Sequence, residues 1–185
     1  MPDNSLARAF ASTRAVLSTV KPDQLDLPTP CASWNVRSLI NHFVGTARWA
    51  ADMIAGAAGT PDADYAAGDF LAAYDEYVAA AVAAFAADGA LDRTVRLPFG
   101  EMSGTDFLDL ASTDQFVHGW DLARATGHAA DLDPELAGDL LVRTRITVLD
   151  AYRGPEGMAP FGPIVEPRPD ACPANRLAAF LGRVA

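Results

Sequence analysis

The sequence is poor in lysine, cysteine and histidine, and each shortage closes off a class of function. Among 185 residues there is one lysine, Lys21; the 14 basic side chains, nearly all arginine, face 24 acidic ones, for a formal net charge of −10. A chain this acidic, with no basic run, repels phosphate backbones, which argues against nucleic-acid binding. Two cysteines, Cys31 and Cys172, are too few to staple a chain of this length, so a reduced, cytoplasmic setting is the simpler reading. No stretch is apolar for long enough to span a membrane. The segment Met1 to Val20 carries Arg8 and Arg14 inside its apolar pattern, so it lacks the unbroken apolar core of a signal peptide.

What is present is hydrophobic and helix-forming. Half of the residues are hydrophobic and alanine dominates them, which favours helix and close helix–helix approach. The length suits one domain spanning residues 1–185. Leu6, Phe10, Thr13, Leu17 and Val20 fall on one stripe at helical spacing, so a first helix is predicted from Ser5 to Val20, ended by Pro22. The proline-rich run from Leu27 to Cys31 reads as an extended connection. Asn35 is a good N-cap for a second helix with Val36, Leu39, Ile40, Phe43 and Ala47 on its apolar face, continuing to Ile54. Gly56, Gly59 and Pro61 break it. Asp69 caps a third helix, which Asp88-Gly89 stops. Thr94 to Gly104 reads as a turn or an irregular β-like excursion. A fourth helix runs from about Ser103 to Thr126, with Gly127 just past its end, and a fifth from Asp133-Pro134 to Tyr152. A Pro/Gly-rich tail, Gly154 to Pro173, should wrap the bundle as ordered loop before a short closing helix, Ala174 to Leu181.

The fourth helix holds the informative anomaly. Its inward stripe reads Phe107, Leu110, Ala111, Asp114, His118, Asp121, Leu122, Ala125, so three ionisable groups stand where the period puts core. Such groups need partners or a cation. Asp114 and His118 are four apart and share one face, about 5–6 Å apart at Cβ, which lets a carboxylate oxygen and an imidazole nitrogen reach one ion. Imidazole with carboxylate suits zinc first, and also nickel or iron. His42 lies beside the apolar face of the second helix and supplies a third ligand if the two helices pack together. The bland alternatives are a surface Asp–His ion pair and a boundary histidine. Asp121 is read either as orienting His118 or as pairing with Arg124 or Arg37. Cys31 is read as a buried packing residue rather than a reactive thiol, Cys172 as inert, His128 as solvated, and Trp34, Trp49 and Trp120 as core. No glycine-rich phosphate loop or nucleophile elbow is visible.

Two blocks are also familiar. Thr29-Pro30-Cys31-Ala32-Ser33-Trp34-Asn35-Val36-Arg37-Ser38-Leu39-Ile40-Asn41-His42 resembles the entry segment of the DinB-like superfamily, and more narrowly an actinobacterial metal-binding branch related to the mycothiol-dependent maleylpyruvate isomerase N-terminal domain. Val117 to Gly127 resembles the second block of that branch, and Arg176 to Arg183 its C-terminal end. The resemblance implies an all-α, four-helix core with one divalent metal held by His42, Asp114 and His118, where the family's acid is usually glutamate. It implies a thiol-dependent transferase or isomerase, with mycothiol as the thiol and a small-molecule or thiol substrate. The isomerase has a second domain without counterpart in this sequence, so isomerisation of maleylpyruvate itself does not carry over. The alternative is a non-catalytic metal-binding or structural bundle. A homodimer fits either reading.

Overall fold

Helix ends in this protein are written into short polar residues. The computed structural model describes residues 4–57, 59, 63–155 and 158–184; Met1 and Pro61 lie outside them. Helix α1 spans Ser5–Leu17, α2 Val36–Ala55, α3 Phe70–Phe85, α4 Gly104–Thr126, α5 Pro134–Thr147 and α6 Pro173–Phe180. The side chains of Asn35, Asp69, Ser103 and Asp133 accept hydrogen bonds from the backbone N–H groups of Ser38, Ala72, Asp106 and Leu136, satisfying donors that the first helical turn leaves orphaned. Gly56 and Gly127 close α2 and α4 in the left-handed region.

Two predicted helix ends and the reading of one connection need correction. Helix α1 stops at Leu17 rather than Val20, because the hydroxyls of Ser18 and Thr19 turn back to the carbonyls of Ala15 and Val16 and compete with the helical ladder. Helix α5 stops at Thr147, well before Tyr152. The β-branched run Ile146-Thr147-Val148 weakens helix there, and Val148 leaves the helix to pack on the core formed with α4 and α6. The excursion after α3 is a regular hairpin: β1 (Thr94–Leu97) pairs antiparallel with β2 (Gly100–Ser103), Leu97 opposite Gly100 and Thr94 opposite Ser103. Val95 and Leu97 face inward on alternate positions, while Arg96 and Glu101 pair outside.

The architecture is an all-α bundle. Helix α1 packs on α4, α4 on α2, α2 on α3 and α3 on α1, so the four close around one core that includes Phe10, Phe43, Tyr74 and Phe107. The α1–α4 approach depends on Gly119: a Cβ there would collide with Thr13, whose hydroxyl donates to the Gln115 carbonyl at 2.7 Å. A second cluster, centred on Trp120, Leu136, Leu140 and Leu177, joins α5 and α6 to the far side of α4. No helix among the described residues is long and apolar enough to cross a membrane.

Candidate metal centre

Helices α2 and α4 run antiparallel with a fixed register. His42 meets Asp114, and seven residues on, Trp49 meets Phe107 edge-on, ring centroids 5.3 Å apart. Because the residue numbers rise on one helix and fall on the other, His42 faces the Asp114–His118 turn. The three residues singled out from the sequence come together: one ligand atom from each of His42, Asp114 and His118 lies within 4.8 Å of the other two. Asp114 Oδ1 is 3.5 Å from His42 Nε2 and 3.4 Å from His118 Nε2. These separations are long for charge-assisted hydrogen bonds. They match the edge of a tetrahedron, about 3.4 Å, whose centre holds an ion at roughly 2.1 Å from each donor. The donor set therefore fits a divalent metal in chemistry and in spacing.

Each of the three side chains is held from behind. The other carboxylate oxygen of Asp114 accepts from the Thr46 hydroxyl at 2.9 Å. Thr46 in turn accepts from Gln115 Nε2 at 2.9 Å, and Gln115 Oε1 accepts from the buried Tyr74 hydroxyl at 2.8 Å. This chain turns the short aspartate arm so that one oxygen faces both histidines. His118 Nδ1 lies 3.0 Å from Asp121 Oδ2; with the proton on Nδ1 directed to that carboxylate, Nε2 keeps its lone pair for an ion. The Trp34 ring lies against the His42 ring, centroids 4.5 Å apart. A turn in which the Trp34 N–H donates to the Cys31 carbonyl and Thr29 donates to the Trp34 carbonyl holds it there.

The charges are strongly coupled. Burial disfavours the ionised form of Asp114, but the charge and hydrogen bond of His118, then those of His42, outweigh it and hold the carboxyl well below its usual range. Burial likewise opposes protonation of His118, yet Asp114, followed by hydrogen bonds from Asp121 and Cys31, raises its pKa well above the ordinary value. Asp121, fully buried, is lowered: burial pushes it up, and the Arg183 charge with the His118 hydrogen bond brings it down further.

Beyond His118 lies a second cluster. Cys31 Sγ donates to Asp121 Oδ2 at 3.3 Å, and Arg183 Nη2 reaches Asp121 Oδ2 at 3.1 Å and Cys31 Sγ at 3.6 Å. Cys31, His118 and Asp121 also offer mutually close ligand atoms, but the Arg183 guanidinium already supplies the cation at that place and repels another. Arg183 arrives from the end of α6, where Gly182 adopts φ +93° against Gly162 of the tail, too close for Gly182 to carry a side chain. One cavity of about 790 Å³ opens over both clusters and extends along α2 and α4 to Trp49, Phe99 and Phe107.

Several expectations change here. Asp121 pairs with Arg183 in addition to His118, whereas Arg124 sits over the Trp120 ring and Arg37 faces Asp64. Cys31 is half-buried in the cavity wall rather than packed away, and Trp34 and Trp49 line the cavity; only Trp120 of the three is fully buried core. Cys172, also half-buried, precedes α6 as its N-cap residue. His128 is an exposed partner of the Thr19 hydroxyl. Sequence reasoning missed Thr46, Gln115 and Arg183. Thr46 had a usable signal, being one turn from His42 on the same face. Arg183 ended the block that resembles the branch's C-terminal end, but nothing in that block pointed to Asp121; the path of the tail brings it in.

Comparison with known proteins agrees with the two histidine blocks. A family model described as the mycothiol maleylpyruvate isomerase N-terminal domain matches residues 6–123, which include Cys31, His42, Asp114, His118 and Asp121 but not Arg183. The chain is 43% identical over 181 residues to an uncharacterized protein of Mycobacterium tuberculosis, in strain CDC 1551 and equally in strain H37Rv, covering 95% of this chain and 94% of the relative. No solved structure matches.

Proposed function

Because the chain belongs to the mycothiol maleylpyruvate isomerase N-terminal domain family, we propose that it is a metal- and thiol-dependent transferase or isomerase acting on a small molecule. His42, Asp114 and His118 hold one divalent ion, zinc before nickel or iron. The observation that carries this reading is the triad itself: a carboxylate oxygen 3.4 and 3.5 Å from two imidazole nitrogens, all three donors within 4.8 Å of one another, facing a cavity rather than sealed in the core. A sealed triad would favour a purely structural ion. Three protein ligands leave positions open, and an ion there supplies positive charge that favours the deprotonated form of a thiol such as mycothiol, or of water.

The protein's own groups do the rest. Asp121 holds the Nδ1 proton of His118 and fixes the ring plane. The Thr46–Gln115–Tyr74 chain fixes the carboxylate plane of Asp114. His118 can ligate only through a deprotonated Nε2, so metal binding would compete with protonation of that ring. Trp34 covers His42 and shields that side of the centre from bulk water. Arg183 and Cys31 line the polar end of the cavity, within reach of a hydrophilic thiol.

Cobalt substitution tests this directly. Cobalt-loaded protein should bind one ion per chain, and adding a low-molecular-weight thiol should produce a thiolate-to-cobalt absorption band that His118→Ala abolishes. Stoichiometric cobalt binding with no spectral response to any thiol would refute the thiol-dependent half of the proposal.

A further inference from the structure

The cavity has two unlike ends, and the difference points to the kind of substrate it takes. At one end stand His42, Asp114, His118, Cys31 and Arg183. The other is bounded by Trp49, Ala50, Phe99, Phe107 and Leu110, none of which is charged. Because α2 and α4 are antiparallel in fixed register, the pair Trp49–Phe107 stands two helical turns from the pair His42–Asp114, about 10 Å along the helices. The step between them is Thr46 opposite Leu110, and the Thr46 hydroxyl is already engaged by Asp114 and Gln115. A charged or strongly polar group entering this limb would lose its hydration without gaining a partner.

Phe99 carries the argument further. It sits at the tip of the β1–β2 hairpin with 67% of its surface exposed, and its ring stands 6.4 Å from that of Trp49 at the cavity edge. Trp49 is backed by Phe107. Among the described residues Phe99 has Trp49 as its one aromatic neighbour, so with two thirds of its surface exposed the ring adds little to the packing of the fold.

We infer that the substrate of this centre carries an uncharged, apolar body about 10 Å long, an alkyl chain or a short chain ending in a ring, which lies along the α2–α4 trough with its far end between Trp49 and Phe99. The reacting end of that substrate rests on the metal centre proposed above; the apolar limb stands independently of it.

Hydroxamates, R–CO–NHOH, test both parts on the zinc-loaded full chain, because the head seeks a metal while R varies. Affinity should rise from acetohydroxamate to octanohydroxamate by about two- to fourfold per methylene, then level off as the chain fills the limb. In Phe99→Ser, chosen because its ring is mostly exposed and the melting temperature should hold, the ratio of octano- to acetohydroxamate affinity should fall at least fivefold. A flat series with acetohydroxamate still bound, or an unchanged ratio in Phe99→Ser, would overturn the inference. Primary alcohols of the same lengths, titrated into the metal-free chain by tryptophan fluorescence, separate the two readings. Length-dependent alcohol binding without any hydroxamate binding would remove the metal centre and keep the apolar limb. No length dependence in either series would remove the limb.

Discussion

Asp114 and Asp121 stand two turns apart on the same helix, on either side of His118, yet their surroundings make them opposites. Around Asp114 the seam is α4 against α2, and the side chain keeps 28% of its surface open to the cavity. Its neighbours are a hydroxyl and two imidazoles, and among the described residues no arginine or lysine stands against it. Around Asp121 the seam is α4 against the 31–34 turn and the tail, with no exposed side-chain surface, and Arg183 already neutralises it. The lesson is that a carboxylate's surroundings follow from what the opposing element brings: Arg183 neutralises Asp121 in place, whereas Asp114 meets only groups that could share a cation with it.

The largest effect should come from the residue between the two seams. His118→Ala removes a ligand and the Asp121 contact together, and should weaken zinc binding by at least about a hundredfold, read by competition with a chromogenic chelator. Asp121→Ala should show the other seam's character. It leaves the Arg183 guanidinium buried without its partner, so the chain should lose about 3–5 kcal/mol of stability in urea unfolding, and zinc affinity should fall about 10–100-fold as His118 loses its orientation. Adding Arg183→Met to Asp121→Ala should restore part of the stability but none of the zinc affinity. If both recover, the two seams are not separate in function.

Thr46→Val should be milder. It frees one oxygen of Asp114 without altering charge, so zinc affinity should drop by about three- to tenfold, with Thr46→Ser close to the parent protein. Asp114→Glu restores the arm length usual in the family and should keep zinc affinity within about tenfold of the parent, while making it insensitive to Thr46→Val.

The smallest effect is the pH dependence of the metal-free chain. The pKa of His118 is raised, so its contribution to stability is complete below the ordinary histidine value of 6.5 and is lost as pH rises through the raised value. That of Asp114 is lowered, so its contribution is complete above 3.8 and is lost as pH falls through the lowered value. Melting temperature without metal should therefore be highest in mildly acidic buffer and decline on the alkaline side. Zinc should reverse that decline, because its binding displaces the His118 proton. A zinc-induced rise in melting temperature that grows toward acid pH would contradict the assignment.

Much of this was legible in the sequence because the signals were local. Helical periodicity, three side-chain caps and two terminal glycines marked α2, α3 and α4, and the i, i+4 spacing of Asp114 and His118 put both on one face before any packing was known. The early stops of α1 and α5 were harder, since they depend on hydroxyls turning back to the chain and on Val148 finding a core contact. The hairpin read only as an excursion, because two four-residue strands alternate too briefly to outweigh Pro98 and the glycines. Arg183 was invisible for a different reason. Its place is set by the Gly162–Gly182 contact and by Arg153, which donates to the carbonyls of Gly162 and Phe180, a tertiary arrangement with no periodic trace. Trp34 and Trp49 looked like core because their spacing does not separate a cavity wall from a filled interior.

The central claim is that His42, Asp114 and His118, and not the neighbouring Cys31 cluster, form the metal centre. Zinc-edge X-ray absorption of the zinc-loaded chain, with no thiol added, tests it most directly. The account predicts a first shell of nitrogen and oxygen only, at about 2.0–2.1 Å, with the multiple-scattering signature of two imidazoles. A zinc–sulfur distance of about 2.3 Å, or the signature of a single imidazole, would put the ion on Cys31 and Asp121 instead and contradict it.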